Sequence, residues 1–561
     1  MTMHVRTRAL VAALAAVFVV SGVVPTVSGA PATTAAAPHA HSHEEVHAIW
    51  AHPVDAGTTV ESVKAFVEKA RRAHIDRIIM LVKHMHGAIY WKSTKFAAAI
   101  DPEYKNFDLV ENLVREAHAA GIKVDAWLVD FPEGLNGAAY KAHPEWAAIN
   151  PDGLTTNSEK LGMNGAPYPY VWMCPSRRPG YVDQWLLPMI EELVKNYQID
   201  GIHNDYVRYA GDIAPDHYCF CDYCLKNMVR EAMLTYEKAP KARRRVKIMQ
   251  PRLEANWWTD PEILPVGWDK MDRREKADFL LNGRSVADGP QDLRYVFYNY
   301  RTRQIDRWVK EAYELVKRTN PKVEVSASVF KNPVLSGRYI GQQWDRWAPW
   351  MDHFTPMTYR SHFTGPFQDW LDQLTETTAR QLEWIGRSRP IHQGIATKYL
   401  YREERKPLED LRDLSAELKD LWLKGDGVAD HPTFPTGILL KYGEKAQALK
   451  KANDAVRKAL AKFNLKGTHA DGLDRLVAAV TADKAEPTRA AQLSELVKKT
   501  TALVLEPPKG FLPPAKLRQS IEAARKAKPD GIVIFYAGDL TRENLWPVLE
   551  EAFKPSNTPK R

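Results

Sequence analysis

Cysteine is scarce in this chain. There are four in 561 residues, three of them within six positions at Cys219-Phe-Cys221-Asp-Tyr-Cys224. That leaves room for at most two disulfides, in three pairings. Long apolar runs are missing beyond the N-terminus, so no later segment is expected to cross a bilayer. No Gly-x-Ser-x-Gly occurs, and the one His-Glu-x-x-His spacing, His43–His47, runs from a low-complexity lead-in into the first predicted strand rather than along a helix, so peptidase or deacetylase chemistry lacks support. The turn after the first predicted strand, His52-Pro53-Val54, has no glycine, which argues against a dinucleotide-binding open sheet. A formal charge of +9 comes with no compact basic stripe, so nucleic acid is not an expected partner.

What is present describes a globular protein with a leader. Hydrophobic residues make up 45% and charged residues 26% of the chain, an ordinary balance for a soluble fold. Arg6 and Arg8, the apolar run Ala9 to Val20 and the small-residue site Ala30-Pro31-Ala32 read as a cleavable secretory signal over 1–32. An uncleaved anchor is the alternative. The expected location is outside the cell or in the periplasm. Residues 33–45, with His39, His41 and His43, read as a low-complexity tether.

From Val46 onward, apolar runs of strand length alternate with helix-length amphipathic segments. Strands are predicted at Val46–Trp50, Arg77–Val82, Lys123–Val129, Ile199–Asn204, Val323–Val329, His353–Tyr359, Pro390–Ala396 and Gly531–Tyr536. Helices are predicted between them, among them Val60–Ala73, Leu109–Ala120 ending at Gly121, Tyr181–Tyr197 and Asp369–Ile385. Eight strands with intervening helices predict an α/β fold, a (β/α)8 TIM barrel. The barrel should occupy 46–400 and be completed by 514–556. Two insertions interrupt it: a Trp-bearing loop after strand four, within 231–289, and a helical segment over 401–513.

Barrel enzymes place reactive side chains at the C-terminal ends of their strands. Read in order, those ends carry His84 and His86, Asp130 with Glu133 just beyond, Asn204-Asp205 with Arg208 and Tyr209, Tyr359, Lys398-Tyr399 and Asp539. Acids, arginines and aromatics on one rim suit a polyhydroxylated ligand. Asp205 is the leading candidate for a reacting carboxyl group. Arg208 beside it would hold it charged, as a base or nucleophile, while dominant apolar neighbours would make it an acid. Its structural alternative is a turn cap or a simple pair with Arg208. Glycoside hydrolysis needs a second carboxyl group, for which Asp130 is the first choice, then Glu133, then Asp539. Each of these also reads as a helix cap or loop acid. Asn204, Arg208, Tyr209, His84, His86, Tyr359 and Trp127 are expected to contact substrate, with Trp172, Trp257 and Trp258 as further sugar platforms. His84 and His86 lack the nearby acid of a facial triad.

Cys174 with Cys219, Cys221 and Cys224 supplies four soft ligands for tetrahedral zinc. Bridges within such short loops would be strained, so zinc is the expected occupant, in a structural role. Two disulfides are the alternative, and His217 is a further candidate ligand.

Two resemblances accompany these residues. His143-Pro-Glu-Trp146, Asn150-Pro-Asp-Gly153, Pro175-Ser176 and Asp200-Gly-Ile-His-Asn-Asp-Tyr-Val-Arg-Tyr209 resemble the glycosyl-hydrolase-like family 10 domain. The likeness runs on through Val323–Val329 and His353–Tyr359 to Ile532–Phe535. It implies hydrolysis of glycans, bacterial cell-wall strands among them. Met173-Cys174-Pro175-Ser176, Asn204-Asp205 and the three clustered cysteines are similar in order to a zinc site beside the acid/base of glycoside hydrolase family 42 β-galactosidases. Asp205 stands where that family has Glu, and strand seven, IHQGIATKYL, carries no Glu. The sequence therefore points to an exported glycosidase with a polysaccharide or oligosaccharide substrate. A silent glycan-binding protein on the same scaffold is the alternative.

Overall fold

A computed structural model describes residues 45–158, 169–211, 218–228, 270–282, 294–363, 366–397, 402–424, 436–461, 469–482, 488–505 and 514–555. The signal segment, His39, His41, His43, His217, Trp257, Trp258, Lys398 and Tyr399 lie outside those residues.

Ten strands are present among the described residues: β1 Val46–Ala51, β2 Arg77–Lys83, β3 Lys123–Val129, β4 Pro132–Gly134, β5 Tyr170–Trp172, β6 Gly201–Asp205, β7 Glu324–Phe330, β8 His353–Met357, β9 His392–Ala396 and β10 Gly531–Phe535. Eight of them close a barrel in the order β1-β10-β9-β8-β7-β6-β3-β2, with parallel neighbours throughout. This is the (β/α)8 fold that the alternation predicts. The added pair β4–β5 is antiparallel and packs at the C-terminal mouth. At three residues each, its strands are too short to leave a periodic signal.

Alternation along the strands separates two apolar layers. Ile49, Ile78, Met80, Val124, Ala126, Leu128 and Ile202 face the surrounding helices. Ala48, Trp50, Ile79, Leu81, Trp127, Val129 and Val533 face the bore. The helix Val60–Arg72 begins at Thr59, whose hydroxyl accepts the Ser62 amide, and it buries Val63, Phe66, Val67 and Ala70. Asp108 caps Leu109–Ala119 in the same way, and Gly121 beyond that helix takes φ +76°. The predicted helix Tyr181–Tyr197 opens with a wide turn over Val182–Leu186, in which the Leu187 amide reaches back to the Val182 carbonyl. Pro188 has no N–H to close an ordinary turn there, which explains the widening.

Four helices, Arg402–Lys424, Thr436–Ala461, His469–Val480 and Arg489–Leu505, share an apolar core of their own around Leu411, Leu418, Trp422, Leu449, Leu493 and Leu496. After β6, the helix Arg273–Asn282 is the element seen within 231–289 among the described residues.

Candidate active site

The mouth of the barrel holds a cavity of about 520 Å³ lined mainly by aromatic side chains, with Asp205 on its wall. Bore-facing parity on β6 falls on Gly201, His203 and Asp205. On β3 it falls on Asp125, Trp127 and Val129. Asp205 therefore turns inward, while Asn204 and Asp130, one position off, turn out toward the helices.

That single-residue offset sorts the predicted carboxyl groups. Asp130 is fully buried, accepts the Trp308 indole N–H at 2.8 Å and does not line the cavity. Burial holds its carboxyl well above the usual range, and the nearby Asp205 charge pushes the same way. Glu133 is likewise sealed in, pairing with Lys83 Nζ at 3.1 Å and accepting the Tyr181 hydroxyl at 2.6 Å. Asp539 accepts Thr397 Oγ1 at 3.0 Å and pairs with Arg542. The structure thus puts all three behind the wall, because each sits on a position whose side chain points into a protein layer. Among the described lining residues, Asp205 is the one carboxylate.

Tyr206, at φ 54°, turns its own amide back onto Asp205 Oδ1 at 2.7 Å. Burial raises the Asp205 carboxyl to about 6. The Tyr206 amide, the Arg208 charge and the Trp127 indole N–H pull the other way. The Trp127 N–H does so without completing a hydrogen bond of good geometry. Burial wins because the group is only 7% exposed. Arg208 lines the cavity with its guanidinium carbon 4.6 Å from the Tyr206 ring centre, 4.9 Å from Trp172 and 5.4 Å from Phe330. Trp172 is a prop for Arg208, donating its indole N–H to the Arg208 carbonyl at 3.0 Å.

Of the remaining predicted contacts, His84, Trp127 and Tyr359 line the cavity. His84 stacks on His86 at 4.7 Å, and its Nδ1 accepts the His86 amide at 3.2 Å. Burial lowers its ring to about 4, so it is neutral near pH 7. His86 is an exposed rim residue tilted against the Tyr170 ring at 5.0 Å. Trp127 lies under the His52 ring at 5.4 Å and Tyr359 against Phe535 at 5.6 Å. Tyr209 and Asn204 do not line the cavity. Tyr209 is buried against Ser176 and beneath Arg301. Asn204 is buried at 2% exposure.

Trp50, His52, Ser328, Phe330, Met357, His362 and Phe535 also line the cavity, and reading the strand ends missed them. Counting inward parity along each strand would have found Trp50, Ser328, Met357 and Phe535. His362 sits on a short turn after β8 and has no periodic signal.

The four cysteines converge away from the cavity. Their sulfurs are buried, unbridged and all within 4.8 Å of one another, with Cys174 3.5 Å from Cys224 and 4.0 Å from Cys221. A tetrahedral ion with metal–sulfur bonds of about 2.3 Å separates its ligands by roughly 3.8 Å, so the donor set fits one. Cys174 lies two residues past β5, and its amide donates to the Trp146 carbonyl at 2.8 Å. The cluster therefore anchors the segment carrying Trp172 and, through it, Arg208.

Residues 62–206 match the family described as hypothetical glycosyl hydrolase 6. The match ends one residue past Asp205 and covers about a quarter of the chain. It shares the glycosyl-hydrolase-like character of the resemblance noted above but carries the number 6 where the quoted residues resemble family 10. No curated protein matches the sequence. Among solved structures, the glycoside hydrolase domain of PgaB (BpsB) from Bordetella bronchiseptica aligns at 12% identity over 63% of this chain and 84% of that one, with a TM-score of 0.42. A β-galactosidase from Rahnella sp. R3 aligns at 12% over 88% and 65%, TM-score 0.42. One from Bacillus circulans sp. alkalophilus aligns at 13% over 60% and 43%, TM-score 0.40. The chain spans less than two thirds of both β-galactosidases, and the activities of these proteins remain their own. The chain is a (β/α)8 barrel, and residues 62–206 of it are similar to a glycosyl-hydrolase-like family.

Proposed function

We propose that the protein is an exported glycoside hydrolase acting on a polysaccharide or oligosaccharide, bacterial cell-wall glycan among the candidates, with Asp205 as its general acid. One observation carries the reading: Asp205, the one carboxylate among the described residues lining a cavity of about 520 Å³ at the C-terminal mouth of the barrel, is raised to about 6 by burial. A raised carboxyl keeps a proton to give to a leaving sugar oxygen at mildly acidic pH. The aromatic walls suit sugar faces, and the volume lies within the range of small-ligand sites. Export rests on Arg6, Arg8 and the apolar run after them. Zinc is the proposed occupant of the four-thiolate site, with Cys174, Cys219, Cys221 and Cys224 holding it. Four thiolates leave no open position, so its part is to brace the Trp172–Arg208 wall.

Glycan binding without turnover is the second reading. It is favoured by the single carboxylate in the described lining, because cleavage by two protein carboxyl groups needs a partner about 5 to 9.5 Å away. Screening the protein against cell-wall and plant polysaccharides separates the two, since new reducing ends appear only with hydrolysis. Asp205→Asn should then lower turnover by about 10²- to 10⁴-fold with an unchanged circular dichroism spectrum. Full turnover by that variant would refute the assignment of Asp205.

A further inference from the structure

TIM-barrel bores are usually filled with branched apolar side chains, yet this one carries histidine at its centre. His203 is fully buried on β6. Its Nδ1 lies 2.8 Å from Ser326 Oγ and its Nε2 2.9 Å from Ser328 Oγ. The Trp50 indole Nε1 lies 3.2 Å from the same Nε2. Two of those partners, Ser328 and Trp50, line the cavity; Ser326 sits one inward position deeper on β7.

The tautomer follows from the partners. An indole N–H only donates, so Nε2 must accept and the ring proton resides on Nδ1, where Ser326 Oγ takes it. The bare Nε2 has one in-plane lone pair, shared between the Trp50 N–H at 3.2 Å and the Ser328 hydroxyl, which at 2.9 Å is the closer donor. The Ser328 proton is thereby committed to the bore, and the oxygen offers only lone pairs elsewhere. His203 has no second state to offer, because burial, with Arg77 and His392 nearby, lowers its ring to about 3.

We propose that Ser328 is a specificity-determining residue that accepts a hydrogen bond from a sugar hydroxyl or amide N–H at the cavity floor, and that His203 is the positioning residue that makes it an acceptor. The proposal rests on the carbohydrate reading above. Its chemistry is complementary to the rest of the wall, where Arg208, the Nε2–H of His84 and the Trp127 N–H are donors. A ligand whose group at this point is an ether, or is absent, leaves the Ser328 lone pairs unmatched and is discriminated against.

The test uses the full chain and follows intrinsic tryptophan fluorescence, since Trp50 and Trp127 both line the cavity. The probes are glucose, galactose, mannose, fucose and N-acetylglucosamine, each with its mono-deoxy analogues. Wild type should bind at least one parent sugar and lose about 3- to 10-fold in affinity for one particular deoxy analogue. Ser328→Ala should lose the same factor for the parent and stop distinguishing that analogue. His203→Gln should weaken the parent similarly while Ser328→Thr, which keeps the hydroxyl, restores most of the discrimination. Because His203→Gln also alters a fully buried position, nitrogen-15 spectra of histidine-labelled wild type provide an independent reading. They should show one histidine as the Nδ1–H tautomer, unchanged from pH 8 to pH 5. Undiminished discrimination by Ser328→Ala, or the absence of any pH-invariant Nδ1–H histidine from the spectra, overturns the proposal while leaving the glycosidase reading intact. Failure of every sugar to bind wild type overturns the assignment of Ser328, while the glycosidase reading is decided by the polysaccharide screen.

Discussion

Asp205 and Asp130 differ by one position of strand parity, and that difference decides their chemistry. Asp205 meets the cavity and is raised to about 6 by burial, with Arg208 opposing. Activity that needs its proton is therefore full below pH 6 and falls as pH rises through about 6. Removing the opposing charge with Arg208→Gln should move that limb upward by up to about one pH unit. A profile of kcat/KM against pH for both proteins checks this; an unmoved or lowered limb would detach Arg208 from Asp205. Glu133 illustrates the other outcome. It faces Lys83 with both side chains fully buried, and the Lys83 amine also donates to the Val129 and Pro132 carbonyls. Glu133→Gln leaves a buried cation without its counter-charge and should cost about 3 to 5 kcal/mol, read as a lowered urea midpoint.

Among the elements, the strands were legible because apolar runs such as Ile78–Val82 and Ile532–Phe535 are bounded by turn residues and buried on both faces. The strand ends were less so. Predicted and observed ends differ by one or two residues at β6, β8 and β10, and a one-residue slip reverses which side chain faces the bore. Asp130 read as a rim acid although β3 was bounded correctly, because a strand end by itself does not give parity, while Glu133 and Asp539 lie past the barrel strands, on β4 and on the helix Ala537–Arg542. Trp50 and Phe535 were hidden for the opposite reason: an aromatic at the end of an apolar run looks like core. Gly201 marks where register is tightest. A Cβ there would stand 2.7 Å from Asp125 Cγ, and Asp125 is the buried partner of Arg77 at 2.8 Å. Gly201→Ala should therefore destabilise the barrel by about 1 to 3 kcal/mol, seen as a lower melting temperature; a neutral result would mean β6 can shift against β3.

Across the whole molecule, the two ends of the bore are built for different tasks. The C-terminal end is an aromatic cavity with one raised acid. The N-terminal end is a polar floor, where Arg77 bridges Asp125 at 2.8 Å and Glu324 at 2.6 Å and His353 stacks on His392 at 4.3 Å. Strands from opposite sides of the chain meet in that floor, so its protonation state bears on the closure of the barrel. Burial, joined by the Arg77 charge, lowers His392 to about 3, against about 6.5 in the unfolded chain. The unfolded state thus binds the extra proton between those limits. The stabilising contribution of neutral His392 is complete above about pH 6.5 and is lost as pH falls toward 3. Several buried acids titrate oppositely in the same window, Asp55 and Asp306 among them, both raised to about 6. The informative quantity is therefore the difference between wild type and His392→Gln, a variant that cannot take the proton. Urea unfolding from pH 7 to pH 4 should show wild type losing ground to the variant by up to about 1.4 kcal/mol per pH unit. A constant difference across that range would mean the floor opens to accept the proton, and that His392 is not held neutral by the closed barrel.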